Sequence, residues 1–146
     1  MAQTKGPERV KTMVNALRSW QAIERKSLEQ TAQMLEETTN PFVRILLEVI
    51  RHDSLMHHRV QQVLVDSLTE ADTPVTHDDL AKIWGQIEAH DAAEKEVVNL
   101  GESLKKEAWS PMHRTLLDYL TTDEKKHDSL LEQLQEFKKT LSRTTT

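Results

Sequence analysis

Cysteine is absent from the 146 residues, which excludes disulfides, thiolate chemistry and iron–sulfur clusters and leaves compartment unreadable from redox usage. Glycine occurs three times and proline four, so long uninterrupted helices are permitted. No stretch approaches the roughly eighteen apolar residues of a membrane span, and the N-terminal MAQTKGPER lacks a signal-peptide hydrophobic region. Basic runs are missing too, and the net charge of −5 argues against a nucleic-acid or anionic-membrane surface. Phosphate-binding loops, nucleophile elbows and zinc-finger spacings do not occur. What is present is ordinary for a helical protein: 37% apolar and 29% charged residues, in a length that suits one domain with a real core. A soluble, cytoplasmic protein is the expectation.

The prolines punctuate the chain. Pro7, Pro41, Pro74 and Pro111 each fall at or just before a new periodic segment, as expected of a residue tolerated in the first helical turn. Asn40 and Ser110 stand in N-cap positions, and Thr76 follows the turn-like ADTPV. These signals predict helices over 7–37, 41–69, 77–107 and 111–140, followed by a flexible tail at 141–146. The expected fold is all-α: a single antiparallel four-helix bundle spanning 1–146. About seven residues join the middle helices, a reach of about 25 Å, which favours up-down-up-down order over a long crossover.

The halves resemble one another. Pro41, Arg44, Leu46, Leu47, Asp53, His57 and Leu64 match Pro111, Arg114, Leu116, Leu117, Asp123, His127 and Leu134 at an offset of 70 without a gap. WQAIE at 20–24 and WGQIE at 84–88 align the first and third helices at an offset of 64. An internal two-fold duplication follows. Leu46, Ile50, Asp53, His57, Val60 and Leu64 recur at spacings of four and three, as do Leu116, Leu120, Asp123, His127, Leu130 and Leu134. This is the a/d pattern of a bundle seam, apolar at both ends and polar in the middle. Burial of an aspartate and a histidine one turn apart is costly unless each is paired or holds a metal. Counting through the turns sets Glu24 and Glu88 at the same height, so two glutamates, two aspartates and two histidines are expected around one axis.

A glutamate from each of two helices with an acid–histidine pair from each of the others resembles the ferritin-like, rubrerythrin-like di-iron carboxylate proteins, over about residues 10–135. The family motif Glu-x-x-His is matched by Glu124-Lys-Lys-His127, whereas Ser54-Leu-Met-His57 has serine in place of the glutamate. Asp53 and Asp123, one residue earlier, are the other candidates for that carboxylate. Asp91 resembles the extra acid some rubrerythrin-like proteins carry, with Ser27 as its counterpart. The resemblance implies metal ligands at Glu24, Asp53, His57, Glu88, Asp91, Asp123, Glu124 and His127. It implies two iron ions per chain, with manganese or zinc possible. The implied activity is ferroxidase-, oxidase- or peroxidase-like, with dioxygen or peroxide as substrate and assembly as a homo-oligomer, a dimer or larger. His90-x-x-x-Glu94 resembles a hemerythrin ligand pair, but the companion His-x-x-x-His is missing. The competing expectation is a metal-free helical interaction module whose polar layer only sets bundle register. A mononuclear site built on Glu124 and His127 alone is a third.

Overall fold

A computed structural model describes residues 6–70 and 74–144, with side chains described as far as 141, and the elements it contains are helices. They are α1 (Pro7–Glu37), α2 (Pro41–Thr69), α3 (His77–Ala81), α4 (Trp84–Glu107) and α5 (Pro111–Thr144). The chain divides into two compact units, Met1–Thr73 and Pro74–Thr146. The first is a hairpin of α1 and α2, and the second a hairpin of α4 and α5 with the short α3 packed against α5. Among the described residues no helix is long and apolar enough to cross a membrane.

The turns show why these helices begin and end where they do. Pro41 opens α2 behind Asn40, whose side chain accepts from the backbone N–H groups of Phe42 and Val43 at 3.0 and 3.1 Å. Ser110 plays the same part for α5, accepting from His113 N–H at 3.4 Å. The arginine three residues into each helix folds back over the preceding C-terminus. Arg44 donates to the carbonyls of Leu35 and Thr38, and Arg114 to that of Ala108 at 2.7 Å. A guanidinium there satisfies carbonyls that the helix end leaves open. The repeated Pro-x-x-Arg is therefore a turn-closing device.

Two boundaries differ from expectation. The third segment is not one helix over 77–107: it breaks between Ala81 and Trp84, where Ile83 N–H bonds Leu80 C=O at 3.2 Å and Ile83 sits at φ −113°, ψ 2°. The β-branched Ile83 and Gly85, two residues on, make this a weak place to propagate a helix. The last helix outruns its expected end at 140 and continues to Thr144; residues 145 and 146 of the expected tail lie outside the described residues.

The seams also differ. In the first hairpin Gln21, Glu24 and Thr31 of α1 are buried, as are Ser54, Gln61 and Val65 of α2. In the second, Leu80, Ile87, Asp91, Glu94 and Thr121 are buried. The leucine-rich stripe that periodicity picks out lies on neighbouring positions instead, and Ile50, Val60, Leu64, Leu120 and Leu130 are about half exposed. Two helices joined by a three-residue turn approach closely along small and polar side chains, and this leaves the bulky apolar stripe uncovered within each unit. Gly101 is the extreme case: a Cβ there would lie 2.3 Å from Thr121 Cγ2.

Candidate metal centre

In the second hairpin, Glu94 of α4 meets Glu124 and His127 of α5, with one donor atom of each within 4.8 Å of the others. Glu94 is 5% exposed. Its Oε1 lies 3.4 Å from His127 Nδ1 and 2.7 Å from His90 Nε2, the latter one turn back on its own helix. His127 Nδ1 is also 3.6 Å from Glu124 Oε2. On the far side of the ring, His127 Nε2 lies 3.4 Å from Asp123 Oδ2. A proton on Nε2 donated to Asp123 leaves the Nδ1 lone pair facing the two glutamates. This is the outer-carboxylate arrangement that orients ligating histidines. Asp123 therefore stands behind the histidine, tied also to Lys126 at 2.8 Å.

One turn along the same seam, Asp91 and Asp128 form a carboxyl pair. Asp91 is held below the usual carboxylate range by the hydrogen bond from Asp128, with burial opposing it and Lys95 assisting. Asp128 is pushed up by that same contact and then by burial. Lys95 Nζ lies 3.2 Å from Asp91 Oδ2 and 3.9 Å from Asp128 Oδ1.

The first hairpin holds a reduced version. His57 Nδ1 lies 3.4 Å from Glu24 Oε1, the same pairing as His127 with Glu94. Where Glu124 would stand, buried Ser54 exchanges a hydrogen bond with Ser27 at 2.9 Å. Where Asp91 stands in the other half, Gln21 donates to the His58 carbonyl at 3.3 Å and to Gln62 at 3.0 Å. Asp53 is exposed, and the His57 side chain is 58% exposed.

The structure brings together Glu24 with His57 in one unit, and Glu124, His127 and Asp123 in the other. It does not bring Glu88 to that group. Glu88 is exposed and accepts a hydrogen bond from Trp84 Nε1, while Lys138 covers the Trp84 ring at 4.1 Å. The residue in the corresponding place is Glu94, which the alignment of WQAIE with WGQIE hid. Both turns have three residues, Thr38–Asn40 and Ala108–Ser110, so an offset of 70 between α2 and α5 forces the same offset between α1 and α4. Glu24 then pairs with Glu94, not Glu88. Counting back from Pro41 and Pro111 would have found it. Of the His90-x-x-x-Glu94 pair, Glu94 belongs to the cluster and His90 touches it from outside.

The residues present fit a divalent cation. Glu94 Oε2 is buried without a hydrogen-bond partner among the described residues, an acceptor that a bound cation would satisfy. Two carboxylates and an imidazole are a hard-to-borderline donor set that suits iron, manganese or zinc. Comparison with known protein families, with curated proteins and with solved structures returned no match. The geometry is that of two helical hairpins, one with a carboxylate–histidine cluster and the other with a glutamate–histidine pair.

Proposed function

We propose that this protein is a ferritin-like metal protein whose principal ion, iron in the first instance, is held by Glu94, Glu124 and His127. The observation that carries this reading is the convergence of three ligand-type side chains from two helices, one of them a buried glutamate whose Oε2 has no hydrogen-bond partner among the described residues. A bound iron would supply the redox chemistry of a ferroxidase, oxidase or peroxidase, with dioxygen or peroxide as the small-molecule substrate. The chain's own contribution is positional. Asp123 orients His127, and His90 shares Glu94 Oε1, so the ligands are held before an ion arrives.

In this reading the apolar stripes left exposed in each unit become the core of an antiparallel four-helix bundle, in a cytoplasmic protein that forms homo-oligomers. Glu24 and His57 offer the first hairpin a weaker pair of the same ligand types. Exposed residues such as Ile23, Ile50, Met56, Val63, Leu100 and Leu130 support such a core, because large apolar patches seldom remain open to water. The metal-free interaction module is favoured by one observation only, the self-satisfied seam of the first hairpin, where Gln21, Ser27 and Ser54 find protein partners.

The test is an anaerobic Fe(II) titration by equilibrium dialysis with metal analysis, followed by admission of air while absorption is recorded. Bound iron that is lost in Glu94→Gln supports the site, and an oxidation-dependent absorption change supports the chemistry. A chain that takes up no Fe(II), Mn(II) or Zn(II) is an interaction module.

A further inference from the structure

The two hairpins treat their cations differently. In the second, Lys95, Lys105, Lys125 and Lys139 each stand against a carboxylate, at 2.9 to 3.4 Å. In the first, three exposed arginines along one edge of the seam between α1 and α2 bond neutral acceptors instead. Arg18 donates to Gln62 Oε1 at 3.2 Å and to Gln21 Oε1 at 3.3 Å, Arg25 to His58 Nε2 at 3.2 Å, and Arg51 to the Leu28 carbonyl at 3.1 Å. None of the three reaches a carboxylate within ion-pairing distance among the described residues. Asp66, at one end of this edge, is engaged by Gln62 Nε2 at 2.8 Å. Each arginine contact uses Nη1 alone, and a guanidinium carries five N–H donors, so the positive charge is left without a counter-charge. Arg18 and Arg25 stand two turns apart on α1, about 10.5 Å.

The positions seventy residues on carry the opposite sign. Arg18, Gln21, His58 and Gln62 become Glu88, Asp91, Asp128 and Glu132, and only Arg25 keeps its sign, as Lys95. Asp91 and Asp128 are taken up by each other and by Lys95. Glu88 and Glu132 are exposed, and neither reaches a cation within ion-pairing distance among the described residues. Lys95 is held above the usual ammonium range by its hydrogen bond to Asp91 first and by Glu132 last, which sets Glu132 on the same edge. The chain therefore exposes uncompensated guanidiniums on one hairpin and uncompensated carboxylates at matching positions of the other.

We infer that the arginine edge of the first hairpin docks on the Glu88–Glu132 edge of a second copy of this chain. Charge complementarity selects the occupant, because the chain itself carries the acidic edge that the guanidiniums lack, at the same helical spacing. A guanidinium suits this part, since its planar fork can hold a carboxylate through two hydrogen bonds. The surface is separate from the apolar stripes and needs no bound metal. Exposed ion pairs are individually weak and screened by salt, so the association rests on several acting together and is salt-sensitive.

Sedimentation velocity of the full chain, with a chelator present, tests this at about 10 mM and about 1 M salt, between which the screening length falls from about 30 to about 3 Å. Wild type is expected to associate at low salt and to sediment as a monomer at high salt. Arg18→Glu with Arg25→Glu should abolish association at low salt, as should Glu88→Arg with Glu132→Arg, each with the helix content of wild type by circular dichroism. Mixing the two reversed variants should restore it, because each then offers the charge that the other has lost, and a misfolded variant could not do so. Arg25→Gln, a milder change, should weaken association without abolishing it. Wild type that stays monomeric at low salt would overturn the inference; a melting temperature raised by pyrophosphate in wild type but not in Arg25→Gln would then make a small anion the occupant. Association indifferent to salt and to both reversals would also overturn it, and would assign self-association to the apolar stripes.

Discussion

Gly101→Ala tests the close helix approach on which the cluster depends. The added methyl would lie 2.3 Å from Thr121 Cγ2, well inside van der Waals contact. Thr121 cannot readily turn aside, being 3% exposed with its hydroxyl bonded to the carbonyls of Leu117 at 3.0 Å and Asp118 at 3.2 Å. Relief must come from separating α4 and α5. Overpacking of this kind costs about 1–3 kcal/mol. The better helix propensity of alanine returns about 0.5–1 kcal/mol, so the net loss should be about 0–2.5 kcal/mol, with a mid-range value a little above 1. Glu94 lies two turns before Gly101 on α4, and Glu124 one turn after Thr121 on α5. The same separation should loosen the contact between Glu94 and His127 and weaken metal binding. Urea unfolding followed by circular dichroism measures the stability, with Thr121→Ser as partner in a double-mutant cycle. Serine keeps the hydroxyl and removes the offending Cγ2, so it should rescue most of the loss. A stabilising Gly101→Ala, or the absence of coupling to Thr121→Ser, would refute the reasoning.

Other perturbations probe the asymmetry of the halves and the ends of the helices. Ser54→Glu restores a carboxylate beside Glu24 and His57, and should add metal binding in the first hairpin while lowering stability without metal; an unchanged stoichiometry counts against equivalence of the two halves. Metal should raise the melting temperature of wild type, by the equivalent of about 2.7 kcal/mol when free ion exceeds Kd a hundredfold, and calorimetric scans with and without Mn(II) measure this. At α3, the carboxyl of Asp79 is held below its usual range by hydrogen bonds from the backbone N–H and the hydroxyl of Thr76. A lowered value favours the ionised folded state. Its contribution is therefore present above the ordinary aspartate range and lost as pH falls through the folded value. Hydrogen exchange of the 77–81 amides should accelerate at acid pH in wild type and lose that dependence in Asp79→Ala.

Helix placement was largely legible in the sequence, because proline, asparagine, serine and threonine caps act locally. Pro41 behind Asn40 and Pro111 behind Ser110 open helices where expected, and Thr76 closes a capping box with Asp79. The break at Lys82–Ile83 was less visible, since WGQIE continues the helical period through a glycine. The site was legible in part. Acid–histidine spacing picked out His57, Glu24, Glu124 and His127, and the structure sets Glu24 beside His57 and Glu124 beside His127. Glu88 was chosen over Glu94 because a shared tryptophan and isoleucine outweighed the loop lengths, which physically fix the register. Asp128 was missed altogether: its part depends on contact with Asp91 across the seam, and no spacing within one helix announces it. The leucine stripe misled for another reason. Periodicity reports where apolar side chains gather, and in these hairpins the close approach is made by the smaller and more polar neighbours.

The central claim, that Glu94 and not Glu88 completes the metal centre, is tested most directly by Co(II) titration followed by visible absorption. Wild type, Glu94→Gln and Glu88→Gln would be measured side by side. The account predicts ligand-field bands that saturate in wild type and in Glu88→Gln with the same stoichiometry, and that weaken or vanish in Glu94→Gln. Loss of the bands in Glu88→Gln with an undisturbed Glu94→Gln would contradict it.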